Sequence, residues 1–559
     1  MNALLWAIIV VIWLISGYKI YGRFIDQRLV EPDDHKQTPA HSKNDGVDYS
    51  PAKTSLLFGH HFSSIAGAGP IVGPLLGVMY FGWLAASLWI AIGSVFIGAV
   101  HDYLSLMVSV RNGGSSIADV AQLTLGKRSK TIFAVFLWLT LLLVIAIFGI
   151  VTAKTFVSQP EIVIPTFGLI FVAMVFGTLV YKRGVNIVVG TIVAIGMLAL
   201  LLYIGNKFPV ILPDKILGMS SAIFWFWVLM IYALFASILP VWFLLQPRDY
   251  LSTSMLFIGL GLGYLGLVLT RPVMNAPSFV SFTSAKGDPL WPMLMVIIAC
   301  GAVSGFHSLV SGGTSSKQLD KERKGKIIGY GAMITEAVLA ILVVTIAAGA
   351  LIWDPSAVKS EFGYQYLMGA GGGPIVAFAT GYGKFLSSIP GFTMVAGVFI
   401  GMLMLNAFVI TTLDTSTRLA RFLIGELFGF KGLGNRWTAT IITILLAAYL
   451  GASGSYSQIW PVFGATNQLV AALALIVVSS YLVGIRKPRI YTVIPAIFML
   501  VTTIAALIYQ MVGFFGEQQY VLGVLSIILT LLALFIAYEA RGILLFIQSE
   551  KIKRLTESH

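Results

Sequence analysis

The sequence predicts an all-α polytopic membrane protein with about fifteen transmembrane helices. Three observations predict it: the composition, the spacing of the apolar windows, and the one-sided placement of the basic residues. Of the 559 residues, 58% are hydrophobic and 11% charged, with a mean hydropathy of +0.91. A soluble domain carries roughly 25% charged residues, so a water-soluble fold of this composition could not cover its own surface. No polar stretch is long enough to form a separate soluble domain; the longest, from Gly17 to Pro51, is too short for a core of its own.

A helix needs about 20 apolar residues to cross the hydrocarbon core. The qualifying windows are 2–20, 62–79, 83–101, 131–153, 161–181, 185–205, 220–245, 250–270, 290–312, 327–352, 389–412, 437–451, 458–480, 491–511 and 519–540. The 437–451 window is short, and 372–388 reads as a re-entrant segment or a further pair of half-helices. The first window has no basic residue before it and no small-x-small cleavage pattern, while Lys19 and Arg23 follow it. It reads as an uncleaved helix with its N-terminus outside rather than as a signal peptide.

Threading these windows alternately across a bilayer tests them against the distribution of Lys and Arg, which concentrate in cytoplasmic loops. One side receives 29 of the 36 basic residues, those of Lys19–Lys53, Arg111–Lys130, Lys182–Arg183, Arg248, Lys317–Lys326, Arg418–Arg436, Arg486–Arg489 and Arg541–Arg554. The other keeps only Lys154, Lys207, Lys215, Arg271, Lys286, Lys359 and Lys384. A single missed span would invert every later loop and destroy this bias, so an odd count with the C-terminus cytoplasmic is favoured. The same distribution explains the net charge of +13 as membrane topology and gives no basic surface for nucleic acid. The single cysteine, Cys300, excludes an intramolecular disulfide and reads as a small apolar helix residue.

Within the second window the run Phe58-Gly-His-His-Phe-Ser-Ser-Ile-Ala-Gly-Ala-Gly-Pro70-Ile-Val-Gly-Pro74 combines two prolines with Gly67, Gly69 and Gly73. Proline removes a backbone donor and glycine lowers the cost of unwinding, so the helix is expected to break. Freed backbone groups at membrane depth are tolerated only against protein, water or a ligand. Gly67, Ala68 and Gly69 are therefore candidates to offer backbone N–H groups to an anionic substrate; a small-residue packing face with a proline kink is the alternative. The ninth window ends in a second such run, with Ser311, Thr314, Ser315 and Ser316 near its inner end. Their hydroxyls suit a small cation such as sodium, or cap the helix. The seventh window contains a third, from Ser237 through Pro240 and Pro247 to Tyr250. Ser237 and His307 join the candidate substrate contacts.

Ionisable groups at depth are few: His60, His61, His101, Asp102, His307, Glu336 and Asp414. Burying one costs about 2.5–3.5 kcal/mol even on the lenient insertion scale, which makes proton or ion handling the expectation for Glu336. His61, His101 and Asp102 are the other candidates, the last two as a proton-handling pair or as an interfacial cap. A zinc site from His60, His61, His101 and Asp102 has no ligand spacing in its favour, so no metal or cofactor is predicted beyond a coupling proton or sodium ion.

The third interruption starts five windows after the first and runs the opposite way, which suggests two inverted units, about 62–205 and 220–412, in a LeuT-like repeat with additional helices. In that register the hydroxyl cluster of the ninth window falls on the third helix of the second unit, which contributes to a sodium site in LeuT-type transporters. The chain then divides into residues 1–57 (first helix and cytoplasmic loop), 58–436 (transport core) and 437–559 (C-terminal helices and a short cytoplasmic tail).

The motifs GHHFSSIAGAGPIVGP (59–74), IGAVHDY (97–103), LPVWFLLQPRDYL (239–251), SGFHSLVSGGTSSKQ (304–318), TTLDTSTRLAR (411–421) and FGATNQL (463–469) resemble the carbon starvation protein A family, from about residue 2 to 480. The resemblance implies a bacterial inner-membrane carrier connected with peptide uptake in carbon starvation, in a family that also includes proton-coupled pyruvate carriers. It implies a fold shared with amino acid-polyamine-organocation transporters.

The expected function is a secondary active transporter that imports a small carboxylate such as pyruvate, or short peptides, on a proton or sodium gradient. The chain carries no HExxH, GxSxG or Walker A motif, which argues against a membrane enzyme and against direct use of ATP. A nutrient-sensing receptor on a transporter scaffold is the alternative, although the tail from Arg541 to His559 is too short for a signalling module. The lipid bilayer and a small solute are the partners implied, and the sequence is silent on oligomeric state.

Overall fold

The computed structural model describes residues 1–354, 362–369, 372–429, 431–452 and 456–541. Among these, thirteen helical segments are long and apolar enough to cross a membrane. The two other predicted windows fall on a broken helix at 290–313 and on the short helix Arg436–Ala452. The elements are α1 (Ala3–Val30), α2 (Thr54–Ala66), α3 (Gly69–Phe81), α4 (Trp83–Arg111), α5 (Lys127–Ser158), α6 (Pro160–Lys182), α7 (Ile187–Lys207), α8 (Ser221–Ile238) and α9 (Leu245–Thr270). They continue with α10 (Leu290–Ile297), α11 (Gly305–Gly313), α12 (Glu322–Ala350), α13 (Pro374–Leu386), α14 (Met394–Phe428), α15 (Arg436–Ala452), α16 (Tyr456–Gly484), α17 (Ile490–Gly516) and α18 (Tyr520–Glu539). The segment at 372–388 forms α13, a 13-residue helix too short to span, laid against α14. The predicted tail beyond Arg541 lies outside the described residues.

Two faces of the bundle can be told apart by their loops. One carries the 31–53 loop: Ala52 N–H bonds the Gln318 carbonyl and Val241 N–H bonds that of Val47. The other carries the N-terminus, with Met274 N–H on the Met1 carbonyl and Asn275 N–H on that of Ala348. The pair α2–α3 starts at the loop face and ends at Phe81, whose carbonyl accepts from Val280 on the N-terminal face. The pair α10–α11 runs the other way, from Leu290, bonded to Phe282, down to Lys317, whose carbonyl accepts from Ser50. These are two broken helices of opposite direction. The run from Ser237 to Tyr250 is not a third: α8 ends at Ile238, the chain turns at the loop face, and α9 returns. Prolines 240 and 247 serve that reversal, because proline disfavours continuing a helix and its missing N–H costs nothing at a terminus.

Around the broken pair, α5, α8, α14 and α15 pack on one another, α9 packs along α2, and α11 lies against α4 and α16. The hairpin α6–α7 pairs mainly with itself and α9; α7 stays largely exposed and α6 is half buried, whereas α16 is almost wholly buried from Val462 to Gly484. The exposed apolar side chains of α7, such as Val189, Ile192 and Tyr203, suit a lipid-facing surface.

The 31–53 loop is tied down by Asp48, which pairs with Arg418 and Arg421 of α14, the latter at 2.9 Å. Arg418 also donates to the carbonyls of Ala236 and Leu239 at the end of α8. Lys317, in the same buried layer, sits 3.2 Å from the Phe422 ring centre, and burial pulls its ammonium down to about 8. Burial alone would raise the Asp48 carboxyl, but Arg418, Arg421 and Lys317 hold it below the ordinary carboxylate range. A depressed folded value means that this stabilisation is complete above the unfolded value of about 3.9 and is lost as pH falls through the folded one. Asp48→Asn is therefore expected to lower the thermal midpoint in detergent at neutral pH, and to lose less further stability than wild type on acidification below about pH 4. An equal midpoint at neutral pH would contradict the pairing.

Candidate functional site

The first break is made at Gly67, whose φ of +35° and ψ of −155° no L side chain adopts comfortably. Pro70 then falls in the first turn of α3, where a missing N–H is harmless. The second break covers Ile298–Ser304 and turns on Gly301, at φ +86°. Cys300 thus lies in the unwound segment, not in a helix as expected. The two breaks touch: a Cβ on Gly69 would lie 2.3 Å from Cys300 Cβ, and one on Gly73 would lie 2.7 Å from the Ile297 carbonyl oxygen.

Unwinding at membrane depth leaves backbone groups that need partners, and here side chains supply them. Asn467 of α16 accepts from Phe306 N–H at 2.8 Å at the start of α11. Its neighbour Gln468 donates to the carbonyls of Met295 (2.9 Å) and Val303 (3.1 Å). Trp89 donates to the Ile298 carbonyl at 3.0 Å, and Glu336 Oε1 accepts from Gly301 N–H at 3.1 Å. At the first break Thr412 of α14 donates to the Ser64 carbonyl at 3.1 Å.

A buried polar chain runs from the loop face to the second break. His61 bonds Ser315 Oγ at 2.8 Å through Nδ1 and Asp102 at 3.0 Å through Nε2. The other oxygen of Asp102 accepts from Ser311. His307, on the first turn of α11, stands between two carboxylates: Nδ1 is 3.8 Å from Asp102 and Nε2 is 3.2 Å from Glu336 Oε2. All four ionisable side chains are fully buried. Beside this chain His60 bonds Asp249 at 2.6 Å and Thr314 at 3.2 Å. Asp249 shares Arg248 with Asp414, which also accepts from Tyr232 at 2.6 Å. Arg248 is 2% exposed, so it is not the loop cation that its position after an apolar window suggests; two carboxylates make its burial affordable.

This geometry sits in a chain whose sequence matches the family described as carbon starvation protein CstA over residues 2–356 and 354–506. It is 33% identical to a peptide transporter CstA of Bacillus subtilis (strain 168), over 90% of this chain and 89% of that one. The chain belongs to the CstA family. It is also 31% identical to the pyruvate/proton symporter BtsT of Escherichia coli (strain K12), with 90% of this chain and 81% of that one covered. Among solved structures it resembles a mutant of the Eremococcus coleocola manganese transporter, at TM-score 0.53 and 12% identity over 92% of this chain and 99% of that one. It also resembles MhsT in complex with L-phenylalanine, at TM-score 0.50 and 12% identity over 88% and 99%. The fold is therefore the LeuT-type helical fold, and the CstA family makes the chain a secondary transporter in a membrane.

Within this CstA-family fold the predicted residues divide. Gly67 and Ala68 form the first break and Gly69 opens α3, while His61, Asp102, His307, Ser311, Ser315 and Glu336 line one buried chain from the loop face to the second break, and Thr314 belongs to the neighbouring His60–Asp249 cluster. His101 is buried beside Asp102 in sequence, but neither ring nitrogen has a hydrogen-bond partner and Asp102 is given to His61 instead. Both lie in mid-helix, since α4 continues to Arg111, and so are not an interfacial cap. Ser237 contacts Thr440 of α15 at 3.4 Å and bonds no member of the network. The four residues weighed for zinc do not converge: His60 turns to Asp249, and His61 to Asp102. Sequence reasoning missed Arg248, Asp249, Asn467 and Gln468 as site residues, although the adjacent Arg-Asp and Asn-Gln pairs in apolar surroundings were a usable signal.

Proposed function

We propose that the chain imports a small carboxylate such as pyruvate, or a short peptide, with proton coupling through the buried histidine–carboxylate network. The observation that carries this reading is the Ser315–His61–Asp102–His307–Glu336 chain, which links the loop-face end of α11 to the backbone of the break. An imidazole can take a proton at one ring nitrogen and release one from the other, and each of its neighbours here can accept or return a proton. The relatives' names, peptide transporter and pyruvate/proton symporter, support the substrate class and the ion. Ser311, Thr314 and Ser315 spend their hydroxyls on Asp102, His60 and His61, which favours the proton over sodium at that cluster.

Gly67–Gly69 offer the substrate carboxylate backbone N–H groups at the positive end of α3. Because Gly69 rests on Cys300, the two breaks must part to admit it. With the second broken helix at 290–313, the inverted units are better drawn as α2–α5 with α8–α9, and α10–α16, the hairpin α6–α7 being an insertion. In that register α11 opens the second unit instead of lying third. The third helix is α14, whose Thr412 and Thr415 touch Ser64. The bias of basic residues supports a bacterial inner-membrane location with the N-terminus outside and the loop face and C-terminus cytoplasmic.

Radiolabelled pyruvate and dipeptide uptake into proteoliposomes, under proton and sodium gradients imposed separately, tests this function. Accumulation is expected with the proton gradient alone; none above protein-free vesicles with either substrate would defeat the carrier reading. Glu336 faces His307, Asp102 behind it and Gly301 N–H. Glu336→Gln is expected to flatten the pH profile of uptake, and an unchanged profile removes Glu336 from the proton route.

A further inference from the structure

We propose that Cys300, His307 and Glu336 form a binding site for one divalent cation of the zinc class at the second helix break. Cys300 Sγ, a ring nitrogen of His307 and a carboxylate oxygen of Glu336 all lie within 4.8 Å of one another, and all three residues are buried. The His307 Nε2 to Glu336 Oε2 distance of 3.2 Å matches the edge of about 3.3 Å that a tetrahedral site with bonds of about 2.0 Å requires. A separate observation points the same way: both ring nitrogens of His307 and Glu336 Oε2 are buried without a hydrogen-bond partner. Buried polar atoms are seldom left so, and a cation would satisfy two of them at once.

The donor set selects the ion. Thiolate with imidazole and one carboxylate suits zinc-like borderline cations, whereas magnesium and calcium take oxygen ligands. A thiolate and a carboxylate also cancel a divalent charge, so the loaded site is neutral at membrane depth. The surroundings resemble those that orient metal ligands. Gly301 N–H holds the other Glu336 oxygen, Asn467 Nδ2 approaches Cys300 Sγ at 3.8 Å, and Asp102 stands 3.8 Å behind His307 Nδ1. Three protein ligands leave a fourth position open, as in zinc sites that also bind a small molecule. A cation there and a proton on the His307–Glu336 pair exclude each other.

The test needs no transport assay. Full-length protein purified in detergent without a polyhistidine tag and stripped with chelator is titrated with Co²⁺. One equivalent is expected to bind with a thiolate-to-cobalt charge-transfer band and tetrahedral visible bands, both removed by Zn²⁺. Because Cys300 is the chain's only cysteine, that band can arise nowhere else in the chain. Cys300→Ser is expected to abolish the band while retaining weaker binding, and His307→Ala and Glu336→Gln to weaken binding at least tenfold, with folding checked by size exclusion. No thiolate band in wild type at saturating Co²⁺ overturns the site, leaving His307 and Glu336 as a proton-sharing pair. An undiminished band in both His307→Ala and Glu336→Gln overturns it equally.

Discussion

Gly69→Leu is expected to abolish uptake while leaving an inserted, monodisperse protein. Even the first carbon of the new side chain would lie 2.3 Å from Cys300 Cβ and 2.5 Å from its sulfur, far inside van der Waals contact. The collision falls where the first residue of α3 meets the unwound segment at Cys300, so relief comes from prising the breaks apart. Overpacking of a core position costs about 1–3 kcal/mol, which a bundle of this size can absorb as stability. The geometry of the break cannot absorb it. Gly69→Ala should share most of the loss, and Gly69→Ala with Cys300→Gly should recover part of it, because the second change removes both atoms in the clash. Initial uptake rates set against size-exclusion profiles check this, and wild-type transport by Gly69→Leu would sink the assignment of this contact to the transport path.

The second large effect is expected at Arg248. Its guanidinium lies between Asp249 and Asp414, and Thr411 accepts a further bond at 3.1 Å. Arg248→Ala leaves two carboxylates facing each other in a dry interior, and breaking such a buried pair costs about 3–5 kcal/mol. A marked fall in the thermal midpoint in detergent should follow. Lysine should rescue it only in part, because an ammonium cannot serve both carboxylates with the planar fork of arginine. The double variant Arg248→Met with Asp414→Asn should be more stable than Arg248→Ala alone, since it removes a stranded charge along with its partner. Equal midpoints for Arg248→Ala and wild type would mean that the cluster contributes nothing to the fold.

How far these features could be read in advance depends on the distance over which the signal acts. Hydropathy is local, and each predicted window falls on a helix of the structure, including the short α15. The break at Gly67 was legible because its cause, glycine and proline within a few residues, is local as well. The same cue misled at 237–250, where proline marks a turn at the face of the bundle. Composition cannot distinguish a break in mid-membrane from a reversal at its edge, since both need the same residues. The buried polar network was legible only as a set of polar residues in apolar helices. Its pairings join residues as far apart as His61 and Ser315, and His101 is passed over as partner of Asp102 because adjacent residues on a helix point about 100° apart, leaving the carboxylate to His61 of α2. Arg248 was misplaced for a related reason: a charge at the end of an apolar window looks solvated until its partner, 166 residues away, is known.

Asn467 and Gln468 hold the second break from a single turn of α16, yet they hold different pieces of it. Asn467 grips the leading end of α11, and Gln468 grips the trailing end of α10 together with Val303. Neighbouring residues on a helix diverge by about 100°, so the two grips pull in different directions. Gln468 bridges the break, bonded to Met295 on one side of Gly301 and to Val303 on the other, while Asn467 fastens the start of α11, so one turn of α16 acts as a single clasp that fixes both half-helices relative to each other.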